Sequence, residues 1–257
     1  MIAEPFRIIA HRGASAYAPE NTMVSFRKAV EMGAPEVETD VAFTKDRRLL
    51  LFHDHTLERT TNGKGTPSEF TLEELKCLDA GSWMEPAKYP EFRWEQDYAG
   101  EKVIALEELF DAFGKHLVYH VEIKDYTEGL IPAVIACIRH YDLVEQVFLT
   151  VINDEDCLLE AKRIEPRIRT ALAPNIRLKE VGSQAIEEVA RAGHDMVTLS
   201  SFNQNRELVD LAHGLGMEAR SSGIKNRQQM IEAVEIGCNG MTINWPDWLI
   251  DHISRLK

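Results

Sequence analysis

The chain has 257 residues, 44% of them apolar and 28% charged, enough for one large domain with a core that needs no disulfide staples. Its formal charge of −13 argues against nucleic acid or an anionic membrane as partner, since either favours a basic face, but leaves room for a small anion in a cleft lined by cations. No apolar stretch approaches the ~20 residues that span a bilayer, residues 1–13 lack the pattern of a signal peptide, and Cys77, Cys137, Cys157 and Cys238 form no CxxC pair, so we expect a cytoplasmic chain with reduced thiols and no membrane span.

In chain order, the first element is a short apolar run at residues 7–10 that stops at His11-Arg12-Gly13 and gives way to the turn-rich "ASAYAPENT". "TMVSFRKAVEMG" then reads as an amphipathic helix, with Asn21 or Thr22 as cap and Gly33 as stop. Strand-like runs recur near 36–43, 49–53, 117–123, 147–151, 169–173, 196–200, 217–221 and 240–244. Helical patterns lie between most of them: one carries Ile131, Val134, Ile135 and Ile138 on one face, and others fall near 154–164, 183–192, 204–215 and 226–236. Gly193, Gly216 and Gly237 each stand just past a helix, where a chain reversal favours glycine. This βα alternation predicts an α/β fold, a (β/α)8 TIM barrel forming a single catalytic domain over residues 1–257, with a doubly wound open sheet as the structural alternative.

Nine runs exceed eight parallel places. Only Lys45, Asp46, Arg47 and Arg48 separate the second run from the third, too few for a parallel crossover, so these two form an antiparallel hairpin. With Asp46-Arg47 as a two-residue turn, Asp40 lies opposite His53. Residues 54–103 then break the rhythm, and we read them as an insertion on the catalytic face after the third strand-like run. Their aromatics, Trp83, Tyr89, Phe92 and Trp94, are expected to form a small core of their own.

The chemistry-bearing residues sit at strand ends. Glu38 and Asp40 share a face of one strand, and Glu122 and Lys124 share a face of another. Three carboxylates at one barrel mouth repel one another without a cation, and a hard divalent ion, Mg2+ or Ca2+, prefers oxygen ligands of this kind. His11 and His53 also end strands and suit an acid–base pair at neutral pH. Arg12 offers a planar fork of donors for phosphate and Lys124 a point charge. His120 should point the same way as Glu122 but deeper, while His116, His140, His194, His213 and His252 lack a comparable setting.

"HRGASAYAPENT", "EVETDVAFTKDRRLLLFHD", "RTTNGKG", "VEIK" and "SSF" together resemble the glycerophosphodiester phosphodiesterase family. The resemblance covers nearly the whole chain and is densest over residues 8–65. It implies a (β/α)8 barrel with an insertion after His-Asp, one divalent cation, and hydrolysis of a small-molecule glycerophosphodiester to glycerol 3-phosphate and an alcohol. Carried over by motif, His11 and His53 become the acid–base pair, Glu38, Asp40 and Glu122 the metal ligands, and Arg12 and Lys124 contacts to the phosphodiester. Glu20 would hold Arg12 or a ligand in place. Two segments depart from the family pattern. Ser222 stands where the family often has a Trp against the glycerol, and Ile243-Asn244-Trp245-Pro246 replaces Thr-Asp-x-Pro; neither is expected to touch the acid, base or metal set, and both bear on the alcohol side. Alternatives are a related phosphodiesterase for a non-glycerol or lysophospholipid-type diester, a binuclear amidohydrolase-type enzyme using His53-x-His55 and Lys124, and a non-catalytic barrel that binds a phosphorylated ligand.

Overall fold

Eight parallel strands close on themselves in chain order, the last pairing back onto the first. The computed structural model describes residues 6–85, 87–94, 96–124, 126–174 and 182–256; the first five residues, part of the stretch judged not to be a signal peptide, lie outside the described residues. The barrel strands are β1 (Arg7–His11), β2 (Glu36–Phe43), β4 (Val118–Ile123), β5 (Val147–Ile152), β6 (Arg169–Ala173), β7 (Met196–Ser200), β8 (Glu218–Ser222) and β9 (Gly240–Ile243). The helices facing them are α1 (Met23–Glu31), α3 (Leu106–Phe113), α4 (Leu130–His140), α5 (Glu155–Ile164), α6 (Ser183–Arg191), α7 (Arg206–Gly214), α8 (Arg227–Glu235) and α9 (Pro246–Leu256); α2 (Leu72–Lys76) lies in the long connection after β3 (Leu49–Leu51). The open sheet is thereby excluded. None of the described helices is long and apolar enough to cross a membrane.

The main apolar core lies between the barrel and its helices. Val37 and Val41 of β2, Tyr119, Val121 and Ile123 of β4, and Val147, Leu149 and Val151 of β5 face outward onto Leu109, Phe110, Ile131, Val134, Ile138 and Leu158. The alternate residues of each strand face the barrel axis, and much of that lining is polar. Every residue of β2 is buried, so Glu36, Glu38 and Asp40 stack up the interior from floor to mouth.

The hairpin forms in a register one residue away from the expected one. Val41 pairs with Leu51, Ala42 with Leu50 and Phe43 with Leu49. The turn is longer because Arg47 adopts a left-handed conformation (φ 58°) and its N–H donates to the Thr44 carbonyl at 2.9 Å, giving a three-residue loop. Asp40 therefore lies opposite Phe52, whose N–H donates to the Asp40 carbonyl at 3.0 Å.

The connection after β3 has two layers. Leu57, Leu72, Leu75, Ala80 and Val103 pack on Leu50 and Phe52, so its own core is aliphatic. The aromatics form a cluster of their own as expected, and it also docks on the barrel. Trp83, Tyr89 and Trp94 meet edge to face at 5.1–5.4 Å, and Phe92 carries the cluster onto Trp245 at the start of α9, 6.0 Å away. Hydrogen bonds from the Arg93 backbone N–H to the Ala16 carbonyl (2.6 Å) and from the Trp245 indole N–H to the Glu91 carbonyl (3.1 Å) fix this contact beside the loop that follows β1.

Candidate active site

β1 ends in His11, and the backbone turns sharply there: Arg12 has φ 55° and Gly13 φ 82°. A Cβ on Gly13 would lie 2.5 Å from the Ser25 backbone carbon, so the close approach of the loop to α1 requires glycine. The turn lets the Arg12 N–H donate to the Glu38 carbonyl (2.9 Å) and carries Arg12 back over β2.

Glu38, Asp40 and Glu122 each offer an oxygen, and these oxygens lie within 4.8 Å of one another. Glu38 and Asp40 are 3% and 0% exposed. Burial and the neighbouring Asp40 and Glu122 charges push the Glu38 carboxyl well above its ordinary pKa, the mark of an anionic cluster short of positive charge. Asp40 behaves oppositely: burial opposes its ionisation, but Arg12, Lys124 and His53 overcome that and hold it low. Lys124 donates to Glu122 and lies 3.3 Å from Asp40 Oδ1, yet that oxygen accepts no well-directed hydrogen bond. Buried, crowded, all-oxygen donors with an unsatisfied oxygen fit a hard divalent cation.

The two histidines flank this cluster, each aligned through Nδ1. His11 Nδ1 donates to Asn244 Oδ1 (2.6 Å), which also accepts from Ser15 (3.0 Å); an amide oxygen only accepts, so the imidazole proton sits on Nδ1 and Nε2 is left basic, 3.7 Å from Glu38. Asn244 thus touches one of the two histidines expected as the acid–base pair, contrary to expectation. Burial, together with Arg12, lowers the His11 pKa below the usual imidazole value. His53 Nδ1 lies 2.5 Å from Asp54 Oδ1.

From Asp54 a chain of alternating charge runs back to the acids. Arg59 forks onto Asp54 (2.5 and 3.0 Å) and onto Glu20 (2.7 and 2.8 Å); Glu20 accepts from Arg12 Nη1 (2.7 Å); Arg12 Nε lies 3.1 Å from Asp40. Glu20 joins the two arginines, and although burial opposes its ionisation, Arg12 and Arg59 hold its pKa down at about 2. Asn21 donates to Asp40 (2.9 Å). The structure thus brings every expected site residue to one mouth; Ser222, at the end of β8, lines the inner cavity with His11, Glu38 and Glu122, its hydroxyl directed at the Leu199 carbonyl. His55 is exposed and outside the acid cluster, so the His-x-His reading has no geometric support. Sequence reasoning missed the roles of Asp54, Arg59, Asn21, Asn244 and Arg220, although the first four fall inside segments it had singled out.

Two spaces open from the cluster. An inner cavity of about 220 Å3 descends into the barrel past His11, Glu38 and Glu122 to Arg220. An outer groove of about 450 Å3 runs past His53, Asp54, Lys124 and Tyr126. Glu122 borders both.

The sequence model of the glycerophosphoryl diester phosphodiesterase family matches residues 11–248. The chain belongs to this family. Among curated relatives it is 34% identical to a glycerophosphodiester phosphodiesterase of Bacillus subtilis, over 96% of this chain and 86% of that one. It is 32% identical to one from Caldanaerobacter subterraneus subsp. tengcongensis, over 96% and 98%. Among solved structures, a phosphodiesterase of Oleispira antarctica in complex with the product sn-glycerol-3-phosphate superposes with a TM-score of 0.80 at 25% identity, over 96% of each chain. A putative glycerophosphoryl diester phosphodiesterase from Silicibacter pomeroyi does so with 0.86 at 25% identity, over 98% and 96%.

Proposed function

We propose that this chain hydrolyses glycerophosphodiesters to glycerol 3-phosphate and an alcohol, with His11 and His53 as the acid–base pair and one divalent cation, Mg2+ or Ca2+, held by Glu38, Asp40 and Glu122. The observation that carries the reading is three crowded carboxylates between two oriented imidazoles, on a barrel of this family. When bound, the cation supplies positive charge to the non-bridging phosphoryl oxygens. Lys124, and Arg12 through an Nη2 that makes no hydrogen bond among the described residues, hold the same oxygens from the side. Each histidine has its Nδ1 occupied, so the Nε2 atoms exchange protons: one ring takes a proton from the attacking oxygen, of water or of a glycerol hydroxyl whose cyclic ester water then opens, and the other gives one to the departing ester oxygen. The diester lies across the acid cluster, one arm in the inner cavity beside His11 and the other in the outer groove beside His53. The connection at residues 54–103, the insertion, borders this groove through Asp54 and His55. The cysteines are free thiols, consistent with a cytoplasmic setting.

The test is hydrolysis of glycerophosphocholine and bis(p-nitrophenyl) phosphate, with and without EDTA. Activity should vanish with chelation and return with Mg2+ or Ca2+. Alanine at Glu38, Asp40 or Glu122 should weaken ion binding in calorimetry, and His11→Ala and His53→Ala should each cost about 10²–10⁴-fold in rate. Diesterase activity indifferent to EDTA, or ion binding unchanged in all three acid variants, would defeat the assignment.

A further inference from the structure

Arg220 is a cation in the floor of the inner cavity, only 4% exposed. It points up from β8 beneath the acid cluster. Its Nε donates to the Thr198 hydroxyl (3.1 Å) and its Nη1 lies 3.1 Å from His120 Nδ1, whose other nitrogen is 2.7 Å from Glu36. Its Nη2 makes no hydrogen bond among the described residues. A buried guanidinium with spare N–H groups facing a cavity costs free energy unless something there accepts from them. The same cavity holds two more unsatisfied groups. Thr150 on β5 and Thr242 on β9, 2% and 7% exposed, line it with hydroxyl oxygens that have no hydrogen-bond partner.

Unpartnered donors on three strands around one space of about 220 Å3 form a built polar subsite. A quaternary ammonium finds no welcome beside Arg220, and an alkyl or aryl arm would leave all three groups unsatisfied. An arm rich in oxygen, with hydroxyl or acid oxygens two or three bonds from the phosphate ester, satisfies them together. Val151, Ile152, Ala173 and Ile224 line the rest of the cavity, so the three polar groups are the ones that fix where oxygens must lie.

Resting on the function proposed above, we infer that Arg220, with Thr150 and Thr242, is a specificity determinant that selects an oxygen-bearing arm for the inner cavity. Binding by products and product analogues isolates this from turnover. In calorimetry with Mg2+ present, the wild-type chain should bind sn-glycerol 3-phosphate about 10-fold or more tightly than methyl phosphate, which lacks the oxygens. Arg220→Met should abolish most of that preference while leaving methyl phosphate affinity within about 2-fold. Because loss of Arg220 also deprives His120 of a donor, Thr150→Val and Thr242→Val serve as independent variants outside that relay; each should shrink the preference about 2- to 5-fold. Adding 3-phosphoglycerate separates the sources. Tighter binding than glycerol 3-phosphate, lost in Arg220→Met, assigns the arm an acid end; weaker binding assigns it hydroxyls. No wild-type preference over methyl phosphate, or equal loss for every ligand in Arg220→Met with both threonine variants unchanged, overturns the inference. Absence of diester hydrolysis would instead defeat the proposed function, and the binding difference is read without it.

Discussion

Asn244 gives His11 an orientation without a charge. Its amide oxygen accepts the Nδ1 hydrogen bond at 2.6 Å and favours the imidazolium through that bond alone, without a countercharge. Asn244→Asp would place a carboxylate there, raise the His11 pKa, and move whichever limb of the kcat/KM–pH profile His11 sets to higher pH, by about one unit. A profile in which neither limb moves would remove His11 from the titrating pair. This residue also shows how far single positions could be read. His11, Glu38, Asp40 and Glu122 were legible because an ionisable side chain ending an apolar strand has few structural reasons to be there. Asn244 was visible only as a departure from a family pattern, since an amide carries no signal of its own until its partner is known. Arg220 was hidden differently. "EARSS" alternates polar residues, which in an ordinary half-exposed strand points them to water; only closure of the barrel turns that face inward.

Among elements, the loop after β1, the strand β2 and the segment after β3 are tied by the ion-pair chain from Asp54 through Arg59, Glu20 and Arg12 to Asp40. Glu20 is the shared anion. Its folded pKa of about 2 lies below the ordinary 4.5, so its contribution to stability is complete above 4.5 and is lost as pH falls through about 2. Glu20→Gln should therefore destabilise the chain at pH 7 by about 3 kcal/mol, and the gap to wild type should shrink by more than half at pH 3. Urea unfolding at the two pH values checks it, and a gap independent of pH would show that Glu20 acts by packing alone. Leu75 tests a second link. It is fully buried on Leu50 and Phe52, next to His53 in sequence, and Leu75→Ala should cost about 2–5 kcal/mol and lower kcat by loosening the segment that carries His53. Unchanged kcat at unchanged fold would mean that β3 alone places the ring. The hairpin itself followed from loop length, but its register did not. Four intervening residues allow a two- or a three-residue turn, and the choice hangs on whether Arg47 accepts a left-handed backbone, which arginine gives no reason to expect.

For the whole molecule, the barrel was legible because its outward face is a run of apolar residues between helices with matching apolar stripes. The interior was not. Barrels of this kind are commonly filled by branched aliphatic side chains, whereas here Arg7 binds Glu36 (2.9 Å) and Glu218 (2.5 Å), and His120 stacks on Phe148 at 4.8 Å between Glu36 and Arg220. Burial lowers the His120 pKa to about 4, so it sits in this network as a neutral bridge. His120→Phe should keep the stack but strand the Arg220 guanidinium, lowering the melting temperature by several degrees; an unaltered melting temperature would show that the floor relay contributes nothing to the fold. The position of Glu122, on the border between the two spaces, has a kinetic consequence. A diester cut there yields one fragment in the outer groove and another in the inner chamber, where the unpartnered groups of Arg220, Thr150 and Thr242 can hold it. Departure should be ordered, the groove fragment first and the chamber fragment last. Steady-state inhibition should then be competitive with glycerol 3-phosphate and noncompetitive with the free alcohol, and the reverse pattern would mean that the chamber empties first.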